Sequence, residues 1–256
     1  MFTAGVDLAA EPAGTALAVI EWQRTRAVLT HLSCGVSDGN IVEATTGAAK
    51  IGIDCALGWP VEFVDFLVQH SQLTDEVAEI DGGMQWRRRL AYRETDRHVR
   101  EITGRWPLSV ATDRLGVTAL RAAGLLSRLG QAGVDVDRTG QGTVVEVYPG
   151  ASLRLWGVHI AGYKTSPDTR ETLVRSLQQT APWLEFGEWA ELMTTSADAL
   201  DAVIAALAAR SAALGMSTQP DEHLRAQAKI EGWIALPTQP LVSLVERHGS
   251  EGSVNA

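Results

Sequence analysis

Cysteine is almost absent: Cys34 and Cys55 are the only two in 256 residues. One pair cannot supply a disulfide framework or a zinc ribbon, and it suits a reducing cytoplasm. No uninterrupted apolar run approaches membrane-spanning length, and no basic segment followed by an apolar one opens the chain, so neither a membrane span nor a signal peptide is expected. There is no Walker A loop and no G-x-G-x-x-G phosphate loop. Ser152, after Tyr148-Pro149-Gly150-Ala151, is not flanked by two glycines as a nucleophile elbow requires, because Arg154 stands where the second would be. The six histidines show no triad-like context. Lysine is scarce too: of 22 basic residues only Lys50, Lys164 and Lys229 are lysine. The formal net charge is −9, which excludes the broad basic face that non-specific duplex binding needs.

What remains is a chain of globular composition, 45% hydrophobic, with enough apolar residues for one sizeable core. Residues 2–8, 14–20 and 27–32 read as three strands joined by short turns, hence an antiparallel meander. A helix over 38–49 then leads into a fourth strand at 50–54, parallel to the first because a helical crossover separates them. Gly58-Trp59-Pro60 breaks the chain before a short helix at 61–69, and 74–112 reads as polar and irregular. Apolar spacing predicts a helix over 115–129, a fifth strand at 143–148, and helices over 167–180 and 197–214. Residues 231–235 fit a late strand or loop, and the Gly/Ser tail 249–256 is expected to be disordered. No linker marks a boundary, so 1–248 is expected to form one domain with 59–112 as an Arg-rich insertion.

The chemistry is carried by acids in apolar surroundings. Phe2-Thr3-Ala4-Gly5-Val6-Asp7 and Ile51-Gly52-Ile53-Asp54 are strand-like runs ending in a carboxylate, and Thr143-Val144-Val145-Glu146-Val147-Tyr148 holds a third. Asp201 lies on a helix that is apolar nearly all round, so it has water only if it faces a cleft. Asp198, one turn earlier, sits where an acid also favours the helix N-terminus. A lone strand-end acid commonly caps the next element, but several buried together need a shared cationic partner. A carboxylate-only set favours Mg²⁺ or Mn²⁺, two of which can promote phosphodiester hydrolysis. The second cluster is Arg87, Arg88, Arg89, Arg93, Arg97, Arg100 and Arg105, interleaved with Glu94, Asp96 and Glu101. It reads equally as a phosphate clamp and as a solvated charged face.

In order and spacing, Gly5-Val6-Asp7-Leu8-Ala9, Ile53 to Pro60, Arg93-Glu94-Thr95-Asp96, Val145 to Pro149, Gly162-Tyr163-Lys164, Asp198 to Ala202 and Glu231 to Ile234 resemble the family named domain of unknown function 429, predicted nucleases of RNase H-like fold. The resemblance implies an α/β fold with a five-stranded mixed sheet, three antiparallel strands plus two parallel, flanked by helices. It implies that Asp7, Asp54, Glu146 and Asp201 or Asp198 bind metal. Asp7 would bridge two ions, Asp54 and Glu146 would each hold one, and Asp201 would complete a site or position water. Arg93, with Asp96 in the same Arg-Glu-Thr-Asp piece, then Arg97 and Arg100, and separately Lys164, are the expected substrate contacts. The expected activity is a cytoplasmic Mg²⁺- or Mn²⁺-dependent nuclease acting on DNA, RNA or another phosphodiester. The alternative is a non-catalytic RNase H-like module that binds nucleic acid or protein, and the oligomeric state is left open.

Overall fold

The computed structural model describes residues 1–72 and 82–246. It is an α/β fold built on a mixed sheet with helices on both faces. The elements run β1 (Phe2–Asp7), β2 (Ala16–Trp22), β3 (Ala27–Cys34), α1 (Asp38–Thr45), β4 (Lys50–Asp54), α2 (Val61–Ser71), α3 (Gly83–Ala91), α4 (Glu94–Thr103), α5 (Leu115–Gln131), β5 (Val144–Glu146), α6 (Pro149–Leu155), α7 (Pro167–Thr180), β6 (Leu184–Glu185), α8 (Ala190–Thr195), α9 (Ala197–Ala213) and α10 (Arg225–Glu231). No helix among the described residues is long and apolar enough to cross a membrane. The tail expected to be disordered lies outside the described residues.

The sheet order is β5-β4-β1-β2-β3-β6. The meander β1-β2-β3 is antiparallel, and β4 runs parallel to β1 as the crossover argument requires. The sheet has six strands rather than the expected five. The addition is β6, which pairs parallel to β3 through Leu184 and Glu185 only. Two residues are too short to show any periodicity. A second correction concerns 74–112, which is not irregular where described: it contains α3 and α4.

Strand alternation sorts the side chains between two cores. Ala4, Val6, Ile51 and Ile53 pack with α1 and α5 on one face. On the other face α9 lies against the sheet, its flank made of Ala202, Ala205, Ala206 and Ala209. The contact there is backbone on backbone. A Cβ on Gly5 would collide with the Ala202 carbonyl oxygen and the Ala206 nitrogen, and one on Gly52 would lie 2.5 Å from the Ala205 carbonyl oxygen. Gly5 and Gly52 face each other in the β1–β4 register, so together they form one flat seat. Thr3, on the same face, closes the contact by donating from its hydroxyl to the Ala206 carbonyl at 2.9 Å. Ser196 caps α9 by accepting from the Ala199 N–H, which fixes where the helix begins.

This seat generates a stability prediction. Gly5→Ala should destabilise the fold by about 3 kcal/mol, the upper range for overpacking, because neither backbone can yield. Gly124→Ala, in α5 with nothing within 4 Å of its would-be Cβ, should instead stabilise by about 0.5–1 kcal/mol. Urea denaturation of the two variants checks the pair, and equal midpoints would contradict the seat.

Candidate active site

Two residues beyond the glycine seat, strand period two puts Asp7 and Asp54 on the same face as Gly5 and Gly52. They are register partners across the parallel pair. One turn N-terminal to Ala205, α9 brings Asp201 to the same end of the sheet. Asp201 is 1% exposed, whereas Asp7 and Asp54 are partly exposed. Asp7, Asp54 and Glu146 line a cleft of about 500 Å³ whose walls include Arg93, Arg114, Tyr148, Arg154, His159, Tyr163 and Lys164, and Asp201 lies behind Tyr163 and Lys164.

The four acids differ sharply in what holds them. Asp201 is partnered at both oxygens: Tyr163 donates its hydroxyl to Oδ1 at 2.9 Å, and the Lys164 ammonium meets Oδ2 at 2.6 Å. Glu146 is partnered at both oxygens as well. Arg93 donates Nη2 to Oε1 at 2.7 Å and Nη1 to Oε2 at 2.8 Å, and the Leu57 N–H adds 3.1 Å to Oε2. Asp7 and Asp54 receive no hydrogen bond from any described residue, and Asp198 is exposed. Burial, then Asp54 and Asp201, push the Asp7 carboxyl up to about 9. Asp54 is pushed up to about 7, mainly by burial, with Lys164 opposing and Asp201 and Glu146 adding. Among the described residues no three His, Cys, Asp or Glu side chains converge tightly enough to hold a metal ion by themselves. The uncompensated pair Asp7–Asp54 is the hard-oxygen donor set on offer, and one or two carboxylates completed by water and substrate are the usual protein share of a Mg²⁺ site.

The arginine run distributes differently from the expected clamp. Arg93 is 1% exposed and its guanidinium is fully committed to Glu146, Asp96 and the Glu231 carbonyl. Burial opposes its charge, but Glu146 and Asp96 outweigh that and hold the guanidinium protonated, above its ordinary range. Asp96 is fully buried and also accepts the Arg93 backbone N–H at 2.9 Å. Arg93 and Asp96 therefore clasp α4 to β5 and to the chain after α10. Gly232, at φ +88°, leaves room beside Glu146 for that clasp. Arg97 pairs with Glu94 and lines a separate small cavity with His98 and Trp233, and exposed Arg100 does not line the cleft. Lys164 does line it.

Apart from Lys164 and the buried Arg93, the basic residues lining the cleft carry no mark in the sequence reading. Arg154 sits one turn into α6 and His159 follows it. Desolvation, then Arg154 and Arg105, hold the His159 imidazole below its ordinary pKa. Arg114 is exposed and also lines the cleft. The only sequence signal for Arg154 and His159 is proximity to Tyr148-Pro149 and Gly162-Tyr163-Lys164, and Arg114 has none. Tyr163 had such a signal, standing between two residues of one quoted piece.

A family model described as Protein of unknown function (DUF429) matches residues 5–225. No curated protein and no solved structure matches.

Two outcomes follow from this electrostatics. The raised Asp7 and Asp54 values mean that the native state binds more protons than the unfolded chain between about pH 4 and 9, so stability is full at the acid end and declines as pH rises through that window. In chelator, the melting temperature should fall from pH 5 to 9, and Asp7→Asn should flatten the fall; a flat wild-type profile would contradict it. Arg93→Met strands Glu146 and Asp96 in the interior and should cost about 3–5 kcal/mol in denaturant unfolding, where a solvated arginine would cost almost nothing.

Proposed function

The chain belongs to the DUF429 family, and from its cleft we propose that it is a divalent-cation-dependent phosphodiester hydrolase of RNase H-like fold. The observation that carries the reading is the Asp7–Asp54 pair: two aligned carboxylates on adjacent parallel strands, facing a cleft, without a protein donor. Such a pair is costly to the fold, because burial and like charge both penalise it. A bound cation removes that cost, and oxygen-only donors suit Mg²⁺ or Mn²⁺.

When bound by Asp7 and Asp54, the cation supplies Lewis-acid stabilisation of a phosphoryl oxygen and activation of a water. The chain's own residues do the rest. Tyr163 and Lys164 lock the Asp201 rotamer at the edge of the acid pair. Arg154, Arg114 and Lys164 supply positive charge on the cleft walls, which an acidic floor needs if it is to admit a phosphodiester, and His159 stands among them as a neutral imidazole. Glu146 acts through Arg93 as an anchor of the cleft wall rather than as a ligand. The clamp assigned by sequence to Arg93, Arg97 and Arg100 passes in this reading to Arg154, Arg114 and Lys164. DNA, RNA and small phosphodiesters share the chemistry this cleft addresses.

Calorimetric titration of Mn²⁺ should show binding to wild type and at least about tenfold weaker binding to Asp7→Asn. Hydrolysis of bis(p-nitrophenyl) phosphate and of single-stranded and duplex oligonucleotides should fall about 100-fold or more in Asp7→Asn and in Asp54→Asn. Equal Mn²⁺ binding by both proteins would sink the assignment. Binding without any turnover would favour the non-catalytic module.

A further inference from the structure

Resting on the reading just given, we infer that this site takes one divalent cation and that the Lys164 ammonium stands in the place of a second. Two-cation phosphodiester sites need a bridging carboxylate and further acids on either side to hold ions roughly 3.5–4 Å apart. This chain has four acids at the right end of the sheet, but two are withdrawn. Both Glu146 oxygens are taken by Arg93 and Leu57, and both Asp201 oxygens by Tyr163 and Lys164. Of the four, only Asp7 and Asp54 are without a hydrogen bond from any described residue, and two such carboxylates are a ligand set for one ion.

The charge count agrees. With a cation in place and all three carboxyls ionised, Asp7, Asp54 and Asp201 carry three negative charges and Lys164 returns one positive, leaving two, which a single divalent ion neutralises. A second divalent ion would leave the cluster net positive and would have to evict an ammonium seated 2.6 Å from a buried carboxylate. The Lys164 side chain is 56% exposed and lines the cleft, so its charge is also presented to whatever phosphate enters. An ammonium is a compact point charge with three rotatable donors, able to hold Asp201 and a phosphate oxygen at once. The same residue thus limits the cation count and supplies the positive charge that a second cation would have brought.

The test is cation stoichiometry, read independently of turnover. Mn²⁺ is titrated into the chelator-stripped full chain and followed by calorimetry and by electron paramagnetic resonance, which distinguishes an isolated Mn²⁺ from a spin-coupled pair. Wild type should bind one ion per chain with no coupled signal. Lys164→Met, which keeps the length and removes the charge, should take up a second ion and develop the coupled signal. Lys164→Arg, which keeps the charge, should stay at one. Two ions bound by wild type would overturn this inference and leave the hydrolase reading standing. A single ion of unchanged affinity in Lys164→Met would also overturn it. No ion bound by wild type would overturn both. Wild type and Lys164→Arg decide the matter even if Lys164→Met folds poorly.

Discussion

The structure depends on one contact: the backbone of α9 lying directly on the backbones of β1 and β4. Apolar side chains ordinarily hold a helix about 10 Å from a sheet, near the spacing of stacked sheets. Here Gly5 and Gly52 present no side chain to α9, and the helix answers with alanine at 202, 205, 206 and 209. The close approach does more than fill space. It sets the height of Asp201 above the sheet, and with it the distance from which Asp201 acts on the in-register pair Asp7–Asp54. Moving α9 outward by one methyl layer would separate the three acids and remove the electrostatic crowding that adds to burial in raising the Asp7 and Asp54 carboxyls.

The remaining acids show how the fold sorts structure from chemistry. Glu146, Asp96 and Arg93 form a buried, hydrogen-bonded ionic clasp in which every charge is met. Glu231, 1% exposed, extends it by accepting the backbone N–H of Val61 at 2.8 Å and of Glu94 at 2.9 Å, so the segment after β4 and the start of α4 are tied to α10. This polar brace holds the insertion against the cleft without an apolar core of its own. Asp7 and Asp54 are left out of that settlement. Glu146 of the brace is in register with Ile53, next to the unpaired Asp54, and the contrast between met and unmet acids is what makes the cleft the candidate site.

The sequence made much of this readable, and the failures have physical causes. The helix α7 is legible to the residue because Ser166 caps it and Pro167 occupies its first turn. The parallel pairing of β1 and β4 follows from the crossover rule, and the strand-end acids from their conflict with apolar neighbours. The helix α4 was invisible because its buried face is Thr95, Asp96 and Val99: it is held by a salt bridge, and hydrophobic periodicity cannot report that. Glu146 is met at both oxygens by Arg93, 53 residues earlier, and nothing in the Glu146 segment itself announces that partner. Arg97 and Arg100 shared a helical spacing with Arg93 but not its surface. Arg154 and His159 gave no periodic or motif signal, since their place on the cleft wall is set by tertiary packing alone.

The most direct test of the account is where a cation sits. Crystals of the wild-type chain soaked in Mn²⁺ and measured at an anomalous wavelength should show one peak contacted by the Asp7 and Asp54 carboxylates, with Lys164 still paired to Asp201 and Arg93 still paired to Glu146. An absence of density at the Asp7–Asp54 pair, or a peak held by Glu146 with Arg93 displaced, would contradict it.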